Sequence, residues 1–272
     1  MDFTDTHVAE MAEVVEKGIN AAQSELFVIN PTRTAITQFV TSLTAATDSP
    51  TIRLFVDESS LKPILDDFLI ASRLADLVNK DQLVIRTLDE VPRAQLLLTK
   101  EVLVSVVESG GSVVALPSTD ASFVTSTYEE YSRRWDRSAD YSLRTPPLSH
   151  VRETMAEDIG DKAVEDFNRS LETLDKAEGD GQGLDEVSIA LLVAANNREL
   201  LYDISRWGED VRLASKATFS RTKNKLESAG VIDTEKVPIE MGRPRLRLVL
   251  GNGTLLDADI ETVVQKVSGE LS

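Results

Sequence analysis

The residues of this chain best suited to a chemical task lie between Ser215 and Arg247. Hydroxyl residues, lysines, an arginine and an asparagine recur there at helical spacing, and further arginines follow in the segment Gly242-Arg-Pro-Arg245. Arginine pairs with the edge of guanine and asparagine with that of adenine, so Arg221 and Asn224 are expected to read bases while the lysines hold phosphates. The pattern predicts contact with a double-stranded DNA operator. The residues expected to contact DNA are Ser215, Lys216, Ala217, Thr218, Ser220, Arg221, Asn224, Lys225, Arg243 and Arg245.

A helix must present the first group of these side chains. Ser215 is placed to cap a helix that extends from Lys216 to Ala229, and Phe219 and Leu226 mark its buried face. An ordinary surface helix with solvated lysines is the alternative. Here, however, the helix is followed by a glycine turn, two apolar residues and a basic ribbon, so the sequence favours a helix that reads DNA.

A β-ribbon is expected to carry the remaining arginines. The segments Lys236–Glu240 and Arg245–Leu250 predict its strands, and two helices, Glu186–Ala195 and Glu199–Trp207, precede the capped helix. This order is that of a winged helix-turn-helix, in which one helix enters the major groove and the ribbon reaches the adjacent backbone or minor groove. The turn sequence Gly242-Arg-Pro-Arg245 resembles the core of an AT-hook, which lies in a narrow minor groove; a tight turn that happens to be basic is the alternative.

The distribution of charge favours the same surface. The chain has 272 residues and a net charge of −17, but the stretch Arg198–Arg247 holds 11 basic and 8 acidic residues, a balance of +3. The remainder therefore carries −20. Such an excess of acid is typical of a halophilic protein from a salt-rich cytoplasm, where self-repulsion is screened. An acidic protein of an ordinary cell is the alternative.

Composition argues against several classes of protein. The chain has no cysteine, so neither disulfides nor thiolate metal sites are expected, and its two histidines, His7 and His150, lie far apart. A metal-dependent enzyme is therefore not expected, and neither is a cofactor. The N-terminus lacks the features of a signal peptide, and no apolar segment is long enough to cross a bilayer. We expect a cytoplasmic protein without a membrane partner.

The first half of the chain predicts an α/β domain with a mixed sheet. The predicted elements are a helix at 5–24, a strand at 25–30, a helix at 34–46, a strand at 52–56, a helical stripe at 61–78, strands at 83–87, 94–99, 102–107 and 112–116, and a helix at 122–136. Strands that alternate with helices imply parallel pairing, whereas the short gaps between the last three strands imply hairpins. The order is similar to that of phospholipase-D-like domains at the level of the fold. Catalysis in that family needs a histidine nucleophile with a lysine nearby, and neither histidine fits such a motif.

A linker and an acidic helix are expected between the two halves. Prolines mark Arg144–Leu148 as a linker, a helix is predicted from Val151 to Lys176, and Gly179–Gly183 reads as a flexible break. The narrow apolar stripe of the acidic helix forms either a dimer interface or a contact with the helix's own winged domain. We therefore expect an α/β effector-sensing or dimerisation domain at 1–143, a linker with the acidic helix at 144–183, and a DNA-binding domain at 184–272.

Three segments resemble the haloarchaeal TbsP-type transcriptional regulators. They are Leu201–Asp210, which reads Leu-Tyr-Asp-Ile-Ser-Arg-Trp-Gly-Glu-Asp, Ala214–Lys223 and Gly242–Arg247, and the likeness extends over essentially the whole chain. The resemblance implies a sequence-specific regulator of central carbon metabolism, of the glycolytic and gluconeogenic kind. Its archaeal, salt-rich setting fits the acidic composition.

Polar residues that follow the three parallel strands predict a small-molecule site. Ligands of open sheets bind at the carboxyl ends of the strands, and a helix that begins with threonine and arginine suits an anion, so the expected effector is a sugar phosphate or similar metabolite. The alternatives are that these residues only cap helices or face solvent, and that the domain only dimerises, through Tyr128, Tyr131 and Trp135. A homodimer is expected to read a palindromic operator. The effector candidates are Asn30, Thr32, Arg33, Thr34, Asp57, Ser59, Ser60 and Arg86.

Overall fold

The computed structural model describes residues 7–46, 48–88, 90, 92–176, 184–240, 243–251, 253, 255 and 258–271. The chain divides into two compact units, residues 1–147 and 148–272, and the acidic segment Val151–Lys176 belongs to the second. The expected break at Gly179–Gly183, and Gly242 of the basic turn, lie outside the described residues. Within the described ranges, no helix is long and apolar enough to cross a membrane.

The first unit is built on one mixed sheet of seven strands. Along the chain its elements are β1 (His7–Ala9), α1 (Met11–Ala21), β2 (Glu25–Ile29), α2 (Arg33–Ala45), β3 (Thr51–Val56), α3 (Glu58–Leu65), α4 (Phe68–Asn79), β4 (Leu83–Thr87), β5 (Gln95–Leu98), β6 (Leu103–Ser109), β7 (Ser112–Ser118) and α5 (Ala121–Arg137). The strands are ordered β1-β7-β6-β5-β2-β3-β4. Strands β2, β3 and β4 pair in parallel and the others pair antiparallel, so the predicted change of direction is confirmed.

Apolar clusters lie on both faces of this sheet, which is why β2 and β3 are nearly continuous apolar runs. Helices α1 to α4 contribute to the larger cluster. On the other face α5 packs Trp135 edge-on against Phe27 and Phe55, with ring centroids 5.5 and 5.4 Å apart. Tyr131 is also buried, and Tyr128 packs half-buried against the same cluster. These aromatic side chains therefore serve the core of the first unit, in contrast to the alternative that they form a dimer interface.

The prediction of a single helix over residues 5–24 is wrong at its start. Residues His7–Ala9 form β1, which pairs antiparallel with β7 at the edge of the sheet, and α1 begins only at Met11. Helical spacing of apolar residues does not report hydrogen bonds made to a distant strand. Pairing with β7 satisfies backbone groups that an open sheet edge would leave to solvent, and it overrides the local pattern.

The continuous helical stripe predicted over residues 61–78 is divided into α3 and α4. Asp57 caps α3 by accepting a hydrogen bond from the Ser60 amide at 3.1 Å, and Asp67 caps α4 through the Ile70 amide at 3.2 Å. A carboxylate that caps a new helix competes with continuation of the preceding one. The apolar stripe persists across the break because both helices pack on the same cluster.

The second unit contains six helices and a two-stranded ribbon among its described residues. Its elements are α6 (Leu148–Asp158), α7 (Asp161–Lys176), α8 (Glu186–Asn196), α9 (Leu201–Asp210), α10 (Lys216–Ser228), β8 (Ile232–Val237), β9 (Arg245–Leu250) and α11 (Ile260–Leu271). The first strand of the ribbon was predicted at Lys236–Glu240 but runs from Ile232 to Val237, and it ends before Pro238, which has no amide to donate.

The predicted acidic helix is two helices, α6 and α7, separated at Gly160. This glycine has a φ of +133°, a backbone conformation that side-chain-bearing residues rarely adopt. Helix α7 packs on α8 and α11, where Ala163, Phe167 and Leu171 are buried. Of the two interpretations left open by the sequence, the structure therefore supports a helix that lies on its own winged domain.

Candidate nucleic-acid interface

Helix α10 has a capped start and one buried face. The Ser215 hydroxyl accepts a hydrogen bond from the Thr218 amide at 3.2 Å, as the sequence predicts. Phe219 and Leu226 are fully buried beneath the helix. The cap fixes the first turn, and the two apolar side chains fix the rotation of α10 about its axis, so the same polar face is always presented outward.

The residues expected to contact DNA lie mostly on that outward face. Thr218 and Arg245 are half-buried, and the other eight are exposed. On α10 the spacing of three and four residues places Ala217, Ser220, Arg221 and Asn224 on one stripe. The stripe contains small side chains near the start of the helix and long polar ones further along, which lets the backbone approach a groove closely.

One basic residue of α10 has a structural task. Lys223 is 8% exposed, and its Nζ atom lies 2.8 Å from Glu227 Oε2. The other carboxylate oxygen of Glu227 accepts a hydrogen bond from the Thr234 hydroxyl at 3.1 Å. This chain of contacts joins α10 to β8. Lys223 is accommodated there because its aliphatic stem lies at the edge of the core and its charge is paired.

A close contact between α9 and α10 was missed by sequence reasoning. A Cβ atom on Gly208 would lie 2.3 Å from the ring of Phe219, well inside contact distance. The absence of a side chain at Gly208 therefore lets Phe219 pack directly on α9. The available signal was a glycine inside the amphipathic stretch Leu201–Asp210, because glycine in a helix interior is unfavourable unless packing requires it.

The ribbon is fastened to the start of α9. The Leu248 amide donates to the Glu199 carbonyl at 2.8 Å, and Leu200 forms an isolated antiparallel bridge with Arg247. Arg245 opens β9, and its guanidinium lies 4.5 Å from the centre of the Tyr202 ring and 3.7 Å from Asp203. Arg243 precedes it and is exposed. The two arginines of the basic turn thus differ, because Arg245 is held against α9.

A second ion pair joins α9 to α10. Lys216 Nζ lies 2.8 Å from Glu209 Oε2, and the other oxygen of this carboxylate accepts from the Lys216 amide at 3.4 Å. The hydrogen bond with Lys216 lowers the pKa of Glu209, and the same bond raises the pKa of Lys216. Both side chains are exposed, so the pair is open to exchange with other ions.

A cleft of about 310 Å³ separates α9 and the start of α10 from the base of the wing. Leu201, Pro244 and Leu246 contribute apolar surface to it. Tyr202, Lys216, Ser220 and Arg245 contribute the polar groups that its walls offer. The cleft therefore combines an apolar lining with two cationic side chains, one from α10 and one from the ribbon.

The effector candidates after β2 are engaged within the first unit. The Thr32 hydroxyl caps α2 by accepting from the Ala35 amide at 3.3 Å, and it donates to Glu108 at 2.6 Å. Asn30 donates to the Pro92 carbonyl at 2.8 Å. Arg33 pairs with Asp67 at 3.0 Å, and Thr34 is exposed in the first turn of α2.

The candidates after β3 form a capping cluster. Asp57 accepts hydrogen bonds from the Ser60 amide and from the hydroxyls of Ser59 and Ser60. These bonds, that of Ser59 foremost, lower the pKa of Asp57. Because the carboxylate is ionised and points into its own helix start, the cluster as it stands is better suited to capping α3 than to attracting an anion.

Arg86, the candidate on β4, lies on the other face of the sheet from Arg33. Its guanidinium stacks 5.0 Å from the Trp135 ring and pairs with Asp140 at 2.7 Å, on the side covered by α5. Arg33 begins α2, which packs on the opposite face. The structure thus brings the candidates after β2 and β3 to one edge of the sheet but does not bring Arg86 to them.

Two models of protein families together match almost the whole chain. The N-terminal model of the TbsP-like transcriptional regulators matches residues 4–146, and the C-terminal helix-turn-helix model matches residues 147–268. The chain belongs to the TbsP-like transcriptional regulators. Membership confirms the resemblance to TbsP-type regulators and the helix-turn-helix domain. Both models describe regulators of transcription.

Solved structures with partial similarity to this TbsP-like regulator include the following three proteins. TrmBL2, an archaeal chromatin protein with a novel mode of DNA binding, is 14% identical over 51% of this chain and 54% of its own, with a TM-score of 0.38. Nuc from Salmonella typhimurium, a phospholipase D family member, is 13% identical over 50% and 97%, with a TM-score of 0.35. NucT from Helicobacter pylori is 7% identical over 50% and 99%, with a TM-score of 0.33.

A phospholipase-D-like arrangement was expected for the mixed α/β unit, and one of these structures, Nuc, is a phospholipase D family member, at a TM-score too low to define a common fold. This TbsP-like chain spans about half the length of the TrmBL2 chain that it matches. No curated protein is significantly similar to it in sequence.

Proposed function

We propose that this TbsP-like regulator reads a specific operator by placing α10 in the major groove. The observation that carries the proposal is the stripe Ala217, Ser220, Arg221 and Asn224, which is exposed while Phe219 lies buried beneath it. Arg221 and Asn224 read base edges, and Lys225 holds a phosphate. Ser215, Lys216 and Thr218 bring the first turn of the helix to the backbone.

The exposed Arg243 reaches the adjacent minor groove from the wing. Support comes from its position two residues before the start of β9 and from its exposure. Arginine is favoured in a narrow groove by the enhanced negative potential there. Arg245, which is held against α9, acts nearer the backbone.

Substitution of one base reader and one phosphate contact tests this division of labour. Arg221→Ala should cost about 1–3 kcal/mol at the preferred operator and relax the preference at one base position. Lys225→Ala should weaken binding to all duplexes by a similar factor and reduce the salt slope by about one. If both variants lost the same amount of affinity on every DNA sequence, Arg221 would not read a base.

A homodimer that reads a palindromic operator is the assembly we propose. The support is general: a two-fold pair of recognition helices matches two half-sites spaced by a helical turn of DNA. Sedimentation of the full chain, with and without the operator, measures the assembly. A monomer bound to a single unrepeated site would contradict it.

The further assignment to central carbon metabolism, with a sugar phosphate or similar metabolite as effector, is supported by the family resemblance and by the open-sheet position of Asn30, Thr32, Arg33 and Thr34. The salt-rich archaeal setting is supported by the net charge of −17. Under this proposal the metabolite binds at the edge formed by the ends of β2 and β3 and displaces the ion pair that holds Arg33.

A second candidate function is favoured by one observation. Most of the charged and hydroxyl groups at that edge already bind each other or cap helices. A first unit that only assembles the dimer would have this arrangement. Calorimetric titration of the full chain with a panel of sugar phosphates separates the two functions: saturable heat that Arg33→Gln abolishes supports sensing, and no heat from any member supports the scaffold.

A further inference from the structure

The cleft between α9, α10 and β9 lies where one strand of the DNA backbone must pass. With α10 in the major groove and the wing at the adjacent minor groove, the strand that separates the two grooves runs between these elements. Lys216 lies on the α10 side of the cleft, and Pro244 and Arg245 lie on the side of the wing. The position of the cleft, and not only its size, therefore indicates a segment of the DNA backbone as its ligand.

The chemistry of the lining fits a sugar-phosphate unit. A deoxyribose presents apolar carbon surface, which Leu201 and Leu246 can cover, whereas a phosphodiester needs cations and hydroxyl donors, which Lys216, Arg245 and Ser220 provide. The guanidinium of Arg245 stacks on the Tyr202 ring, 4.5 Å from the ring centre, and this stacking directs the arginine to the cleft.

Both cations of the cleft are paired with carboxylates of α9. Glu209 holds Lys216 at 2.8 Å, and Asp203 lies 3.7 Å from Arg245. Neither carboxylate is deeply buried, with 45% of Glu209 and 34% of Asp203 exposed in their side chains. A phosphate that enters the cleft must therefore compete with two fixed anions for the same two cations.

We propose that this cleft is a backbone phosphate site of the operator complex and that Glu209 and Asp203 are built-in competitors for it, exchanged for the phosphodiester when DNA binds. This inference rests on the proposed placement of α10 in the major groove. The competition lowers affinity for any DNA, because the electrostatic gain from Lys216 and Arg245 is offset by the broken pairs. Base contacts are unaffected, so they contribute a larger share of the binding free energy that remains.

The test measures nonspecific binding of the full chain to a mixed-sequence duplex across a salt series. Glu209→Gln keeps an acceptor for the α10 amide but removes the charge that holds Lys216. Its matched control is Glu235→Gln, which removes the same charge from an exposed pair with Arg198 at 2.7 Å, outside the cleft. We expect Glu209→Gln to bind about two- to fivefold more tightly than this control at low salt, the range of an exposed ion pair.

A double variant of Glu209 and Lys216 distinguishes the exchange of Glu209 for a phosphate from a general effect of removing one negative charge. Lys216→Gln alone should reduce the salt slope by about one phosphate contact. In the Lys216→Gln background, the gain from Glu209→Gln should disappear. A gain that persists in that background, or one equal to the control's, would overturn the proposal, as would weaker binding by Glu209→Gln, which would indicate that Glu209 supports the complex.

The outcome also distinguishes this inference from the proposed function. A wild-type chain that binds mixed-sequence and operator duplexes equally would refute operator reading by α10 and this inference with it. A wild-type chain that prefers its operator, with no coupling between Glu209 and Lys216, would leave α10 as the reading helix and remove only the competed phosphate site.

Discussion

Gly208 sets the distance between the two helices of the helix-turn-helix. The ring of Phe219 occupies the space where a Cβ atom of residue 208 would lie, at 2.3 Å. The amides of Leu213 and Ala214 also donate to the Gly208 carbonyl, at 2.8 and 3.2 Å, as the chain leaves α9. One residue therefore determines both how closely α10 packs on α9 and how the turn between them begins.

Gly208→Ala should destabilise the second unit, because the added methyl group must displace an aromatic ring from a packed site. Overpacking of this kind costs about 1–3 kcal/mol. Urea denaturation followed by tryptophan fluorescence, to which Trp207 of α9 contributes, reports the change. Gly269→Ala in α11 is the matched control, since a Cβ atom there meets nothing within 4 Å and alanine favours a helix. Equal stability of the two variants would show that α9 and α10 adjust freely.

Around α10, the roles of some side chains could be predicted from the sequence and those of others could not. Ser215 as the cap and Phe219 as a buried position follow from local pattern, because both depend on neighbours within one helix turn. The stacking of Arg245 on Tyr202 and the pairing of Lys216 with Glu209 join different elements. Local spacing contains no information about such contacts, so the cleft that they line could not be foreseen.

At the scale of elements, capping side chains decide where helices start. Asp57, Asp67, Asp120, Asp185 and Ser215 each accept a hydrogen bond from a first-turn amide. Such caps satisfy amides that otherwise have no partner in the helix. In α5, the cap at Asp120 precedes the helix that carries Trp135 into the core of the first unit.

The capping carboxylate of α5 predicts a pH dependence. The amide of Phe123, followed by the hydroxyl of Ser122, lowers the pKa of Asp120 below its usual 3.8. Because the folded-state pKa is depressed, the stabilisation is present above about pH 4 and is lost as the pH falls through the lowered pKa. Asp120→Asn keeps an acceptor that does not titrate.

Urea denaturation of the full chain at a series of acidic pH values measures this effect. Below about pH 4 the free energy of unfolding should fall more steeply with decreasing pH in the wild type than in Asp120→Asn. Ser122→Ala, which keeps the carboxylate but removes one of its donors, should show an intermediate slope. Identical slopes for the wild type and Asp120→Asn would show that the cap does not contribute.

The order and type of most elements could be predicted because their periodicities are strong. The parallel strands β2 to β4 and the hairpins β5 to β7 lie within a few residues of their predicted positions. The wrong predictions have a common cause: contacts or backbone conformations that apolar periodicity does not report override the local pattern. Strand β1 pairs with a distant edge, Asp67 starts a new helix inside an apolar stripe, and Gly160 divides the acidic segment through a positive φ.

At the scale of the whole molecule, charge is distributed unevenly along the chain. The net charge is −17, while the stretch Arg198–Arg247 is slightly basic. Repulsion between like charges opposes compaction and is screened when the Debye length falls to about 3 Å at molar ionic strength. A regulator with this composition is expected to fold best in concentrated salt.

The free energy of unfolding of the full chain should therefore rise as potassium chloride is increased from low to molar concentration. Urea denaturation at each salt concentration measures it. The expected rise is steepest at low salt, where the Debye length changes most, and levels off as screening becomes complete. Stability that is independent of salt, or that falls, would contradict the salt-rich setting proposed for this protein.

Site-directed cleavage of DNA shows whether α10 lies in the major groove. The chain contains no cysteine, so Ala217→Cys provides one thiol on the outward stripe for an iron chelate that cleaves DNA. Glu172→Cys on the exposed surface of α7 is the control. We predict cuts from position 217 inside the protected footprint, with the strand offset of a major-groove probe. A minor-groove offset, or cutting no stronger than the control while the footprint persists, would show that α10 does not lie in the major groove.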